Sequence, residues 1–437
     1  MVARRPVLLA SLLVLLAGAA ACGGPWTVAA NGWWLPALAA ATLAIGLVAR
    51  NMSARLWLAG GLLLGLFALY AVNPTYRWSP GVGLLPVAHL PFLPGSAEPG
   101  GTWEALGVAM AAWVAFSLAL GLSGRQIRGL QLAAALAGAA MALAVLAQRL
   151  EPGAPRIREF TGIFVNENHF AVFSNLLLPV VLALASRARY RAVQAGRPSS
   201  PAGLFILVAV LLAAATVACG SRAGAAVMAL VIAAHVGSCR RQIRAYPFAG
   251  IPASAFLRVA GGAAIAVAAG FAVRAFRSEW QRLETVGQEW TYRFGILKAA
   301  LAAWRERPAW GTGPGTFAAV FPYYQSELFQ NRAIVHAHCE PVQFLAEFGV
   351  AGALVVALAG ALALAARNRS GAASGEIPAF ADLERRAFGF GLLACGLHAL
   401  VDFPLRVPLL ALIAAAWAGV WIGTRSASAA TAPAGGA

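Results

Sequence analysis

A chain of 437 residues in which 60% are apolar and only 11% are charged has too little polar surface to coat a soluble globule of that length. Its formal net charge of +17 is carried almost wholly by arginine, with Lys298 the single lysine, and in so apolar a chain this is a topology signal rather than a nucleic-acid surface. The cysteines, Cys22, Cys219, Cys239, Cys339 and Cys395, show no CxxC or other ligand spacing, which argues against a disulfide framework and against a zinc ribbon.

A helix needs about 17 to 25 apolar residues to cross a hydrocarbon core of about 30 Å, and about twelve such runs follow one another along the chain. They cover 6–22, 33–49, 56–72, 103–122, 129–148, 165–185, 203–219, 222–237, 256–274, 341–366, 387–402 and 406–424. The LLAGAAAC stretch ending at Cys22 resembles a processing site. With so many spans behind it, an uncleaved first helix is the better reading.

Arginines collect in alternate connections, at Arg4 and Arg5, Arg50 and Arg55, Arg125 and Arg128, 187–197, 240–244 and 367–386. The remaining connections hold far fewer, with Arg149, Arg156 and Arg158 the main exception. The positive-inside rule then places the arginine-rich face and both termini in the cytoplasm. The expected organisation is a bundle of about nine helices over 1–274, a large external segment over 275–340, about three helices over 341–425 and a structureless Ala/Gly/Ser-rich tail over 426–437.

On the external face lie the Pro-rich connection 73–101, the connection 149–162, the tight Cys219–Arg222 turn and the segment 275–340. His89, His169, His336, His338 and His398 fall on or near the same side, as do Asp402 and Arg406. Charged groups at membrane depth cost at least about 2.5 to 3.5 kcal/mol, so their collection at one face points to a site.

Arg222 opens its span directly after a connection too short to carry it far into water. It either aims at an external cavity or marks the interface by snorkelling. The stretch EWTYRFGILKAALAAWRERP reads as a helix stopped by Pro308, with Trp290, Ile296, Leu297, Ala300 and Trp304 on one face and Arg293 in the middle of that face. Such an arginine packs its stem at the membrane interface or reaches a buried anion. Glu340, Gln343 and Glu347 share a face of the next helix, where Glu347 requires a partner. That partner is an arginine, in a site or in a structural pair between helices. His336 and His338 could share one side of an extended segment, but no further well-spaced ligands accompany them and no metal is expected.

These residues resemble the O-antigen ligase and polymerase superfamily from about Thr161 to Pro408. The family's signature is a histidine, then Asn, Ser or Gln, nine residues and GxxG. Here His338, Cys339, Gly349 and Gly352 match it, with cysteine in the polar position. Arg293 to Leu297 fits R-x-x-x-L, Pro308 to Phe317 fits P-x-x-G-x-G-x-G-x-F, and Ser221-Arg222 resembles a membrane-edge arginine. TGIFVNENHFA, containing Asn168, resembles TGxFxNxNxxA, and His398 with Val401-Asp402-Phe403-Pro404 resembles HxxxDFP.

The resemblance implies an all-α, polytopic, GT-C-like membrane protein with a large periplasmic loop in the bacterial inner membrane. It implies glycosyl transfer from an undecaprenyl-pyrophosphate-linked glycan to a hydroxyl of lipid A core, saccharide or protein, without a cofactor. Arg222 and Arg293 would bind the donor pyrophosphate, since guanidinium matches phosphate oxygens. His338 would take or align the acceptor proton, histidine being neutral near neutrality, with inversion at the attacked carbon. Glu340, Glu347, Asn168, Asp402 and Arg406 would support them, and the Gly311–Gly315 turn either aims amides at phosphate or is simply a turn. A secondary transporter, or a non-catalytic partner in polysaccharide export, is the alternative.

Overall fold

The computed structural model describes residues 5–21, 52–150, 161–197, 199–245, 290–329, 332–366 and 378–423. Its helices are α1 (Arg5–Ala21), α2 (Ala54–Val72), α3 (Pro99–Leu120), α4 (Gly124–Leu150), α5 (Glu167–Gln194), α6 (Ala202–Ala218) and α7 (Arg222–Ala245). There follow α8 over 290–306, a single turn α9 (Phe317–Val320), α10 (Glu340–Ala365), α11 (Pro378–Ala399) and α12 (Pro408–Ile422). The expected runs at 33–49 and 256–274, the start of the external segment up to residue 289 and the tail lie outside the described residues.

Among the described residues five helices, α2, α3, α4, α5 and α10, are long and apolar enough to cross a membrane. α1, α6, α7 and α12 contain shorter apolar helices. Two expected boundaries move: α5 continues to Gln194 rather than ending near 185, and α11 begins at Pro378 rather than 387. Both extensions carry charge. Arg187 of α5 and Glu384 of α11 meet in a buried ion pair (2.7 Å), which keeps these turns helical where apolarity alone gives no reason to.

α5 is the centre of the bundle and packs against α4, α6, α7 and α11, while α12 packs on α3 and α10 on α2. In the most apolar window of α5, 89% of residues are buried, against 22% for α10, so α10 turns most of its surface outward. The connection 73–101 is not merely Pro-rich coil. It contains a hairpin of β1 (Tyr76–Ser79) and β2 (Gly83–Pro86), with Tyr76 opposite Pro86.

α10 is broken at Gly349, where φ is 63° and ψ −172°. In an unbroken helix the carbonyls of Ala346 and Glu347 would take the amides of Val350 and Ala351. Here the Pro308–Phe317 turn inserts. Thr312 and Gly313 donate to Ala346 and Glu347 (3.0 and 2.8 Å), while Val350 and Ala351 donate to Pro308 and Ala309 (2.9 and 2.8 Å). Both opened bonds find replacements, so these four backbone groups stay paired across the kink. A Cβ at Gly349 would lie 2.3 Å from the Ala309 oxygen, and one at Gly311 2.5 Å from that of Ala346. The glycines of the two motifs thus share one cause, the contact of two backbones. Tyr70 of α2 seals the joint by donating to the carbonyls of Trp310 and, at 3.0 Å, Phe348.

Candidate active site

One end of the bundle gathers the starts of α5, α7, α10 and α12 and the end of α11. Asn166 caps α5 by accepting from the Asn168 amide (2.8 Å). The Asn168 side chain accepts in turn from Ser221 Oγ (2.6 Å), pinning the residue before Arg222 to the start of α5. The next residue on α5, His169, sets its ring edge-on to Phe403 in the connection between α11 and α12. The rings of His336 and His338 lie against the same Phe403, with centroids 4.2 and 4.9 Å away.

His338 is the only non-glycine residue with positive φ (53°) among those described. That conformation is costly for a bulky side chain and persists where neighbouring bonds impose it. The Ala337 amide is held by Gln343 Oε1 (2.9 Å), and α10 begins immediately after, with Cys339 as its N-cap residue. Cys339 makes no side-chain cap bond, whereas Asn or Ser at such a position could accept from the first turn of α10. The reversal at His338 turns its ring to Asp402, with Nδ1 to Oδ1 at 3.2 Å. Asp402 is buried, whereas the His338 side chain is 30% exposed. Burial raises the Asp402 carboxyl, but the His338 hydrogen bond and the neighbouring imidazoles of His169 and His398 more than offset it, leaving it below the usual carboxylate value. The ionised carboxylate fixes the proton of neutral His338 on Nδ1 and leaves Nε2 as a lone-pair acceptor.

Glu340, Gln343 and Glu347 converge as their spacing predicts, and the partner of the two acids is Arg406. Its Nε donates to Glu340 (3.2 Å) and its Nη1 to Glu347 (2.6 Å). Glu340 also accepts from the Leu405 amide, and Glu347 from Gln343 (2.9 Å) and the Gly315 amide (3.2 Å). The Gly311–Gly315 turn therefore does not aim its amides at phosphate. Those of Thr312, Gly313 and Gly315 are spent on α10, because the turn is the wedge in its kink.

Arg293 reaches this end from α8, its Nη1 donating to the Val401 carbonyl (2.8 Å), next to Asp402. The buried side of α8 is Ile296, Ala299, Ala300 and Ala303, while Trp290, expected on the same stripe, is 55% exposed. Arg222 lies exposed at the start of α7. His89 is exposed and bonded to its own loop, outside the cluster.

Phe403 is legible in the sequence only as part of a motif, and not as the ring that three histidines share. Tyr70 was missed altogether. An aromatic hydroxyl near the end of a long apolar run was the available signal, since a buried phenol seeks a partner.

Residues 207–357 match the O-antigen ligase family. The matched stretch includes Arg222, Arg293, His338, Glu340 and Glu347, and is shorter than the 161–408 over which the motifs suggested likeness. No curated protein matches the chain closely enough to extend it. The family implies ligase- or polymerase-type glycosyl transfer, with a lipid-linked glycan donor and a saccharide or lipid acceptor. The likeness of this membrane protein to the O-antigen ligase family thus rests on residues 207–357, about a third of the chain.

Proposed function

We propose that the chain transfers or polymerises glycan from an undecaprenyl-pyrophosphate donor to an acceptor hydroxyl, at the periplasmic face of a bacterial inner membrane, by a metal-independent, inverting displacement. The observation that carries this reading is the His338–Asp402 pair, buried on the aspartate side and open on the histidine side. A base must keep its lone pair on the atom that meets substrate, and Asp402 does that for His338 by occupying Nδ1.

The acceptor oxygen attacks the anomeric carbon from the face opposite the pyrophosphate, and its proton passes to His338 Nε2. The bond between that carbon and the pyrophosphate oxygen breaks, and undecaprenyl pyrophosphate leaves with the bonding pair. Arg222 and Arg293 neutralise the charge that builds there, the role for which guanidinium is suited. Their assignment is supported by their arrival at the end of the bundle that holds His338, through Ser221–Asn168 and through Val401. Arg406 does not share it, being committed to Glu340 and Glu347. The arginine-rich connections support a cytoplasmic face that carries both termini. Twelve spans in a GT-C-like arrangement complete the reading, with 1–274, 275–340 and 341–425 as its parts.

The test is glycan transfer in proteoliposomes supplied with an undecaprenyl-pyrophosphate-linked oligosaccharide and lipid A core. His338→Ala is expected to lower the rate by about 10²- to 10⁴-fold at equal membrane abundance. Arg293→Ala is expected to weaken use of the donor. Products resolved by size and attachment separate a ligase from a polymerase. Full activity in both variants would leave these residues structural and overturn the assignment.

A further inference from the structure

His336 and His338 both rest on Phe403, and their hydrogen-bond polarities are opposite. The orientation of the Gln343 amide fixes that of His336. Gln343 Oε1 faces a backbone donor, the Ala337 amide (2.9 Å), and Gln343 Nε2 faces a carboxylate, Glu347 Oε1 (2.9 Å). A flipped amide would set N–H against N–H and oxygen against oxygen, so only one orientation satisfies both neighbours. The remaining hydrogen on Nε2 is directed to His336 Nδ1 (3.4 Å), which must accept it. A neutral imidazole that accepts at Nδ1 carries its proton on Nε2. Burial and the charge of Arg406 beside it push His336 down to about 3, so it stays neutral at any working pH. His338 presents an acceptor at Nε2, and His336 presents a donor.

We propose that His336 positions the acceptor saccharide, its Nε2–H donating to an oxygen of the sugar that carries the attacking hydroxyl. The inference rests on the glycosyl-transfer reading above. A sugar offers hydroxyl or ring oxygens beside the one that reacts, and the His336 ring lies against the same Phe403 ring as the base that takes the reacting proton. A neutral donor suits a neutral hydroxyl, whereas pyrophosphate calls for guanidinium. The half-buried Phe403 ring supplies an apolar surface against which the C–H face of a sugar packs.

The experiment measures acceptor and donor KM separately, in proteoliposomes with the undecaprenyl-pyrophosphate oligosaccharide and lipid A core. His336→Phe, which keeps a ring against Phe403, is expected to raise acceptor KM about 5- to 10-fold, as one lost hydrogen bond does, with donor KM moving less than about twofold. His336→Gln, whose amide N–H reaches a similar position, recovers most of the loss. An unchanged acceptor KM, a loss that falls on donor KM, or a Gln variant as poor as Phe overturns the proposal. If the native protein transfers nothing, the glycosyl-transfer reading fails, and His336 is then read directly by ¹⁵N resonance of histidine-labelled protein. The signal absent from His336→Phe should report an Nε2–H tautomer between pH 5 and 9 and shift on addition of lipid A core oligosaccharide. An Nδ1–H tautomer, or a signal that lipid A core leaves unmoved, overturns it.

Discussion

The connection between α11 and α12 serves two polar clusters that differ in how fully their hydrogen-bonding capacity is used. Around Arg406, both oxygens of Glu340 and both of Glu347 are engaged. Around Asp402, Oδ1 takes His338 while Oδ2 and both ring nitrogens of His169 and His398 are buried without hydrogen-bond partners among the described residues. A saturated network is rigid and supports the chain around it. An unsaturated one costs stability and is kept where groups must exchange partners, as a base and its orienting acid do. The first cluster is the frame and the second is the working part.

The sharpest way to break this comparison is to remove a carboxylate from the frame. Glu347→Ala removes the shorter of the two ion pairs of the buried Arg406 guanidinium, leaving it Glu340 alone, and should cost about 3 kcal/mol, read from thermal or denaturant unfolding in detergent. Only replacing the whole cluster, Glu340→Gln with Glu347→Leu and Arg406→Leu, should return most of that stability, because no buried charge is then left. Asp402→Asn should act the other way, lowering transfer by about 10²-fold with little change in unfolding, since it frees the tautomer of His338.

The pH response sharpens the same contrast. Asp402 lies below its usual 3.8, so its bond to His338 is complete above that value and is lost only as pH falls beneath it. Between pH 5 and 9 the aspartate stays ionised. Asp402→Asn should therefore lower the whole rate profile without removing a titration limb from it. A missing limb would mean that the aspartate itself titrates in the working range.

Smaller effects follow from the backbone. Gly349→Ala forces a Cβ onto the Ala309 carbonyl at positive φ and should destabilise by about 1 to 3 kcal/mol, read by unfolding, with transfer falling alongside. Cys339→Asn restores a capping side chain at the start of α10 and should stabilise by about 0.5 to 1 kcal/mol in the same measurement.

Much of the helix layout was legible because a run of apolar residues has few other fates, and the helical spacing of Glu340, Gln343 and Glu347 foretold their meeting. What was hidden is tertiary. Nothing local says that Asp402, 64 positions away, is the partner of His338, or that Arg406 rather than an arginine of the external segment answers Glu347. The glycines of Gly311–Gly315 and of Gly349 were each legible as turn or motif residues. That they exist for one another is a fact of contact between distant segments, to which periodicity is blind.

That joint has a mechanical consequence. α10 is broken at Gly349, and the helix after the break, residues 350–365, is about 24 Å long at 1.5 Å per residue, short of a hydrocarbon core of about 30 Å. A helix this short is matched by thinning of the bilayer around it, and its depth and tilt respond to lipid length. Because Val350 and Ala351 are bonded to Pro308 and Ala309, a change of tilt pulls on the segment that leads to His338. Acyl-chain length thus becomes a control on turnover, and the same protein reconstituted in short-chain and long-chain lipids should work at different rates.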